Sequence, residues 1–173
     1  MSEFDTLELS STNRVESSDR DPYTGGCQCG AVRYRVLGEL TNAHVCHCRM
    51  CQKAAGNYFM PLANAQKREF VVVRGEISWF QSSEPVRRGF CEACGTPLIF
   101  DREAAPHLNV TLGSLDDPAA VRPTRQYGLE SRLPWLSELD TLPGETTEDA
   151  DFAASEHWER IRASNRQHPD HES

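Results

Sequence analysis

The sequence predicts a mainly β domain of short antiparallel strands with one short helix, and three observations carry that expectation. Apolar and polar residues alternate in many short runs, separated by Gly, Pro, Asn or Asp. One stretch among these runs, Cys48 to Ala55, repeats instead at helical spacing. All seven cysteines fall into three tight groups, Cys27/Cys29, Cys46/Cys48/Cys51 and Cys91/Cys94, set beside predicted strands.

The 173 residues suffice for about one domain with tails. Residues 1–22 are rich in Ser, Glu, Asp and Thr and read as a flexible leader, in which only Thr6-Leu7-Glu8-Leu9 alternates like an edge strand. The domain spans residues 23–143. It opens with Tyr23-Thr24-Gly25-Gly26-Cys27-Gln28-Cys29-Gly30, where glycines around two cysteines suit a tight knuckle. Ala31 to Val36 alternates as a half-buried strand, and Asn42 to Cys46 is the second. The helix over Cys48–Ala55 is expected to stop at Gly56, which places Cys51 in the first turn, where the helix terminus favours thiolate. Further strands are predicted at Tyr58–Leu62, Glu69–Arg74, Ile77–Gln81, Val86–Phe90, Leu98–Phe100 and Leu108–Leu112, with a turn at Asp116-Asp117-Pro118. Tyr127 to Trp135 is less regular. The polar extension 144–173 holds one helical candidate, Phe152 to Ser164, with Ala154, Trp158 and Ile161 at helical spacing.

Charge and hydropathy exclude several classes. The net charge of -8 would repel nucleic acid, and no basic stripe overrides it: Arg33/Arg35 and Arg87/Arg88 sit on predicted strands, where Arg33 and Arg35 share a solvated face. There is no secretory signal pattern and no apolar run long enough to span a membrane. A cytoplasmic protein is expected. In that reducing compartment closely spaced cysteines favour metal over disulfide.

Zinc takes about four ligands in a tetrahedron, with thiolate the common structural partner. Cys27, Cys29, Cys91 and Cys94 form two pairs whose loops could meet in a closed, structural site. Cys46, Cys48 and Cys51 then remain, and three thiolates leave one position for water or substrate, as in catalytic zinc. Other readings stay open at this point: a structural site completed by another residue, free redox thiols, or an iron–sulfur cluster, which normally takes four cysteines. His47 lies between two of the cysteines, but adjacent residues of an extended segment face opposite ways. It is a candidate for moving a proton instead. Arg49 and Lys53, at i and i+4, share a helix face and could bind the carboxylates of an anionic substrate, or simply face solvent.

Cys27-x-Cys29-Gly, Cys46-His-Cys48-x-x-Cys51-x-Lys53-x-x-Gly56 and Cys91-x-x-Cys94-Gly95 resemble the glutathione-dependent formaldehyde-activating family, whose domain is shared with centromere protein V. Gly113 to Pro118 and Ser131-x-Leu-Pro134-Trp135 extend the resemblance across about two-thirds of the chain. One departure is Gln126, where many relatives carry a His. The resemblance implies a β-tent fold with two zincs per chain, the outer four cysteines holding the structural ion and the inner three the catalytic one. It also implies a carbon–sulfur lyase-type activity that adds glutathione, or a similar thiol, to formaldehyde or another small aldehyde. The rival expectation is a non-catalytic, zinc-stabilised protein-binding module. A nucleic-acid role is disfavoured by the charge.

Overall fold

The structure, a computed structural model, describes residues 21–148 and 154–169. Residues 1–20 of the leader, with the expected Thr6–Leu9 strand, and the start of the expected Phe152–Ser164 helix lie outside the described residues.

Two sheets make up the mainly β fold. The smaller pairs β1 (Tyr23–Gly26), β2 (Arg33–Val36) and β5 (Phe70–Arg74) antiparallel, in the order β1-β2-β5. The larger contains β3 (Thr41–Cys46), β4 (Met60–Gln66), β6 (Ser78–Ser83), β7 (Val86–Phe90), β8 (Pro97–Arg102), β9 (His107–Thr111) and β10 (Arg125–Tyr127). Its order is β10-β3-β4-β9-β8-β7-β6, and its one departure from the antiparallel expectation is β10, which runs parallel to β3 with Gln126 opposite Val45. Val32, Tyr34 and Val36 of the smaller sheet's segment pack in one core with Ala63, Ala65, Leu98 and Val110 of the larger, and Cys27 and Cys91 belong to the same core. Burial of these apolar side chains is the main stabilising contribution.

Three details differ from the sequence expectation. The strand begun near Tyr58 starts at Met60 and continues to Gln66, because Ala63 and Ala65 are fully buried on a central strand although neither has a high strand propensity. The run with the strongest strand propensity, Val71-Val72-Val73, lies on an edge strand and is exposed. Arg33 is not solvated: its guanidinium forms a forked pair with Asp116, with Nη1 2.8 Å from Oδ1. Arg35 is exposed.

The helix α1 (Arg49–Ala55) fills the β3–β4 connection and ends at Gly56, whose φ of 58° closes a left-handed cap. Its buried face, with Cys51, packs on Met60 and Leu62, and Phe100 and Ala54 complete this second small core. The helix α2 (Glu156–Ser164) is capped by Ser155, whose hydroxyl accepts the Trp158 N–H at 3.2 Å. Beyond it the chain returns to the first cysteine knuckle, where the His168 N–H donates to the Gln28 carbonyl at 3.0 Å.

Candidate functional site

The two outer knuckles are built alike. In the first, Cys27 N–H donates to the Val32 carbonyl and Gly30 N–H to the Cys27 carbonyl, both at 3.0 Å. In the second, Cys91 N–H donates to Thr96 at 3.0 Å and Gly95 N–H to Cys91 at 2.8 Å. Gly30 and Gly95 each have a φ of 76°, a left-handed value that costs glycine little and lets each loop fold back beneath its sulfurs. Gln28 N–H reaches the Thr96 hydroxyl at 3.1 Å and ties one knuckle to the other.

These loops bring the sulfurs of Cys27, Cys29, Cys91 and Cys94 within 4.8 Å of one another. Cys27 and Cys29 are 3.5 Å apart and Cys29 and Cys91 3.9 Å, far beyond a disulfide bond. A tetrahedron of sulfurs at the usual zinc–sulfur distance has edges of about 3.8 Å. The donor set and spacing therefore fit zinc. Val32 N–H also points at Cys27 Sγ, 3.2 Å away, the kind of outer contact that steadies a thiolate ligand.

Charge within this cluster is shared unevenly. Burial pushes the Cys91 thiol up to about 12. The Ala31 N–H draws Cys29 down, but burial and the Cys27 thiol outweigh it and leave Cys29 raised. Burial also acts against Cys94, yet its contacts with Thr96 bring it down to about 6.

The central motif gathers Cys46 at the end of β3, Cys48 at the N-cap of α1 and Cys51 in its first turn. Their three sulfurs also lie within 4.8 Å of one another, and among the described residues no fourth Cys, His, Asp or Glu joins them. Hydrogen bonding from the Cys46 thiol, with Arg88 beside it, lowers Cys51 to about 5, while Cys46 is raised by the same contact and by burial. The sequence expectation credited the helix terminus. The contacts with Cys46 and Arg88 act on the same thiol.

Arg88 is the residue that sequence reasoning missed. It stands on β7 with 7% exposure, and its Nη2 lies 3.5 Å from Cys51 Sγ. Nη1 contacts Met60 Sδ at 3.6 Å, Nε donates to the Ser82 hydroxyl at 3.1 Å, and the guanidinium sits 5.0 Å from the Phe100 ring. Arg87, one residue earlier and on the opposite strand face, stacks on Trp79 and pairs with Asp101.

His47 is 1% exposed and does not belong to the sulfur cluster. Its Nε2 is 2.9 Å from Gln126 Oε1, its ring packs edge-on against Phe59, and its Nδ1 has no partner among the described residues. The motif's backbone is held from behind. His47 N–H donates to the Tyr127 carbonyl at 2.8 Å, and the Gln52 amide donates to the His47 and Ser131 carbonyls at 2.8 and 3.0 Å. Gly128 crosses so near Cys48 that a Cβ there would lie 2.6 Å from its backbone nitrogen.

Arg49 and Lys53 are both exposed on α1, and Arg49 Nη1 donates to Gln52 at 2.5 Å. Both line a cavity of about 390 Å³ between α1 and the β6–β7 hairpin, together with Met50, Ala54, Phe80, Ser82 and Arg88. The cavity thus runs beside Cys51 by way of Arg88. Among the described residues its lining has three cationic side chains and no acidic one.

Known proteins resemble this chain. Residues 22–130 match the family model described as "Glutathione-dependent formaldehyde-activating enzyme". A protein of Halomonas elongata, provisionally named as a glutathione-dependent formaldehyde-activating enzyme, is 28% identical over 122 residues, covering 65% of this chain and 78% of that protein. A crystal structure of a Rhodobacter sphaeroides protein matches with a TM-score of 0.49 and 25% identity, over 60% of this chain and 98% of that one.

Proposed function

The chain belongs to the glutathione-dependent formaldehyde-activating family, and from that premise we propose that it is a zinc-dependent enzyme of the carbon–sulfur lyase type. It would add a glutathione-like thiol to formaldehyde or a related small aldehyde in a reducing, cytoplasmic setting. The observation that carries this reading is the three-cysteine cluster with no fourth ligand among the described residues, set beside a cavity lined by cations.

In this reading two zincs bind per chain, one held by Cys27, Cys29, Cys91 and Cys94 and one by Cys46, Cys48 and Cys51. Zinc in the three-cysteine site supplies a position where a substrate thiol loses its proton more readily and stays nucleophilic. The residues around it do the binding and orienting. Arg49 and Lys53 stand where the carboxylates of a peptide-like thiol would meet positive charge at the cavity mouth. Met50, Ala54 and Phe80 give the substrate an apolar wall. In the reaction a sulfur–carbon bond forms as the carbonyl π bond opens, and the thiol's proton ends on the carbonyl oxygen. Holding both reactants in one cavity lowers the entropic cost of their encounter.

From sequence, His47 is a candidate for moving that proton; its buried ring and its bond to Gln126 also support an orienting role, keeping β10 against the cysteine motif.

The second reading, a zinc-stabilised protein-binding module, draws on the exposed Val71, Val72, Val73, Trp79 and Phe80 on two edge strands. One experiment separates the two. Zinc is measured in the purified chain and in Cys48→Ser, and NMR exchange between formaldehyde and glutathione is recorded for both. Two zincs in the wild type, one in the variant, and accelerated exchange only in the wild type support the enzyme. Equal exchange in both proteins sinks it. Two zincs that resist chelators equally, with no response to added thiol, favour the binding module.

A further inference from the structure

A buried guanidinium needs an anion, because charge removed from water is costly unless paired. Among the described residues no carboxylate pairs with Arg88. The nearest one in sequence on the neighbouring strand, Asp101, is held by Arg87 and Lys67 on the other strand face. What Arg88 meets instead is sulfur: Cys51 at 3.5 Å and Met60 at 3.6 Å. An arginine kept only for packing would not require this arrangement, since its stem could rest on Phe100 with its head in solvent.

The local balance of charge gives the arrangement its use. Three thiolates around a divalent cation sum to one net negative charge, which on its own would repel a second anion arriving at the open position. Arg88 offsets that charge from within, and the cavity beyond it carries Arg49 and Lys53 and no acidic side chain, in a chain whose net charge is -8. Resting on the proposed function, we infer that Arg88 is the positioning residue of the three-cysteine site: its guanidinium holds Cys51 and makes the open position selective for an anion over a neutral ligand. Ser82, which accepts from Nε, fixes the fork in place, so the β6–β7 hairpin takes part in the site.

The test uses the full chain with cobalt(II) in place of zinc, and reads the visible absorption of the metal while ligands are titrated in. The probes are thiocyanate, a monoanion, and imidazole, which is neutral. Arg88→Met keeps an apolar stem of similar length. It is expected to weaken thiocyanate binding about tenfold or more, as for loss of a charge-assisted contact, while imidazole binding holds. Arg88→Lys should retain part of the preference for thiocyanate. Ser82→Ala, a milder change on the hairpin, should fall between wild type and Arg88→Met, and covers the case in which the latter does not fold. Unchanged thiocyanate affinity in the variants, or equal loss of both ligands, overturns the inference. Two metals per chain and the expected discrimination, but no thiol–aldehyde exchange, would overturn the catalytic reading and leave Arg88 its role. A chain that loads only the four-cysteine site overturns both.

Discussion

Gly128 decides how closely the chain can pass behind Cys48. Its φ of 69° is left-handed, and an added Cβ would meet the Cys48 backbone nitrogen at 2.6 Å, where neither partner is a flexible side chain. Gly128→Ala should therefore cost about 1–3 kcal/mol of strain and displace the N-cap of α1. On the proposed two-zinc reading, the expected result is a chain that keeps the four-cysteine metal and loses the other, read as zinc per chain falling from two to one. Gly113→Ala serves as the control, because nothing lies within 4 Å of its notional Cβ. Similar zinc content in both variants would show that the close approach does not shape the site. Asp116 gives a second prediction at this scale. Burial works against its carboxylate, but Arg33 and Thr24 more than compensate and hold it below its ordinary value. A carboxyl lowered in the folded state adds stability above its unfolded pKa of about 3.9, and this is lost as pH falls through the folded value. Asp116→Asn should thus destabilise the protein at neutral pH, and the gap from wild type should narrow as pH drops below about 4. Denaturant midpoints measured at both ends of that range check it. A gap that stays constant would mean that the carboxylate's charge contributes nothing.

Among the elements, the strands that alternate or carry β-branched residues were readable, and so was the helix stop at Gly56. Those set by tertiary contact were not. β10 is a three-residue parallel pairing whose place depends on β3, and β4 continues through Ala63 and Ala65 because the interior there admits only small side chains. The cysteine partition was legible because it needs only spacing and a ligand count. Arg88 was not, since nothing in Val86-Arg87-Arg88 says which arginine turns inward. Only the pairing with β6 and β8 decides that. The C-terminal extension shows the same limit. Its helical spacing predicted α2, but not the return of residues 165–169 to the first knuckle, where a Cβ on Gly30 would lie 2.7 Å from the His168 ring. This contact covers backbone next to Cys29. Removing residues 144–173 should leave the fold intact by circular dichroism yet speed metal transfer from the four-cysteine site to a chromogenic chelator severalfold. Transfer at the wild-type rate would mean that the extension only rests on the surface.

At the scale of the whole molecule, the four-cysteine cluster joins what hydrogen bonds leave separate. Cys27 and Cys29 sit in the β1–β2 turn of the small sheet, and Cys91 and Cys94 in the β7–β8 turn of the large one. The two sheets share no strand pairing, although an isolated bridge between Gly25 and Leu115 and the Arg33–Asp116 pair also cross between segments. A metal on those four sulfurs therefore clamps the interface that the apolar core fills. The three cysteines themselves lie only on β3 and the start of the helix that directly follows it, so losing a metal there removes a more local constraint. The two sites should accordingly differ in what they do for stability. Cys91→Ser breaks the clamp and is expected to cost about 3 kcal/mol or more, close to 10 °C in Tm for a chain of this length. Cys48→Ser should shift Tm by only a few degrees, about 1 kcal/mol. Graded chelation should show the same order: the first metal leaves with the circular dichroism unchanged, and the second leaves together with the fold. Equal thermal shifts in the two serine variants would place both clusters in the same structural role, and the open site would then have no claim to being set apart for chemistry.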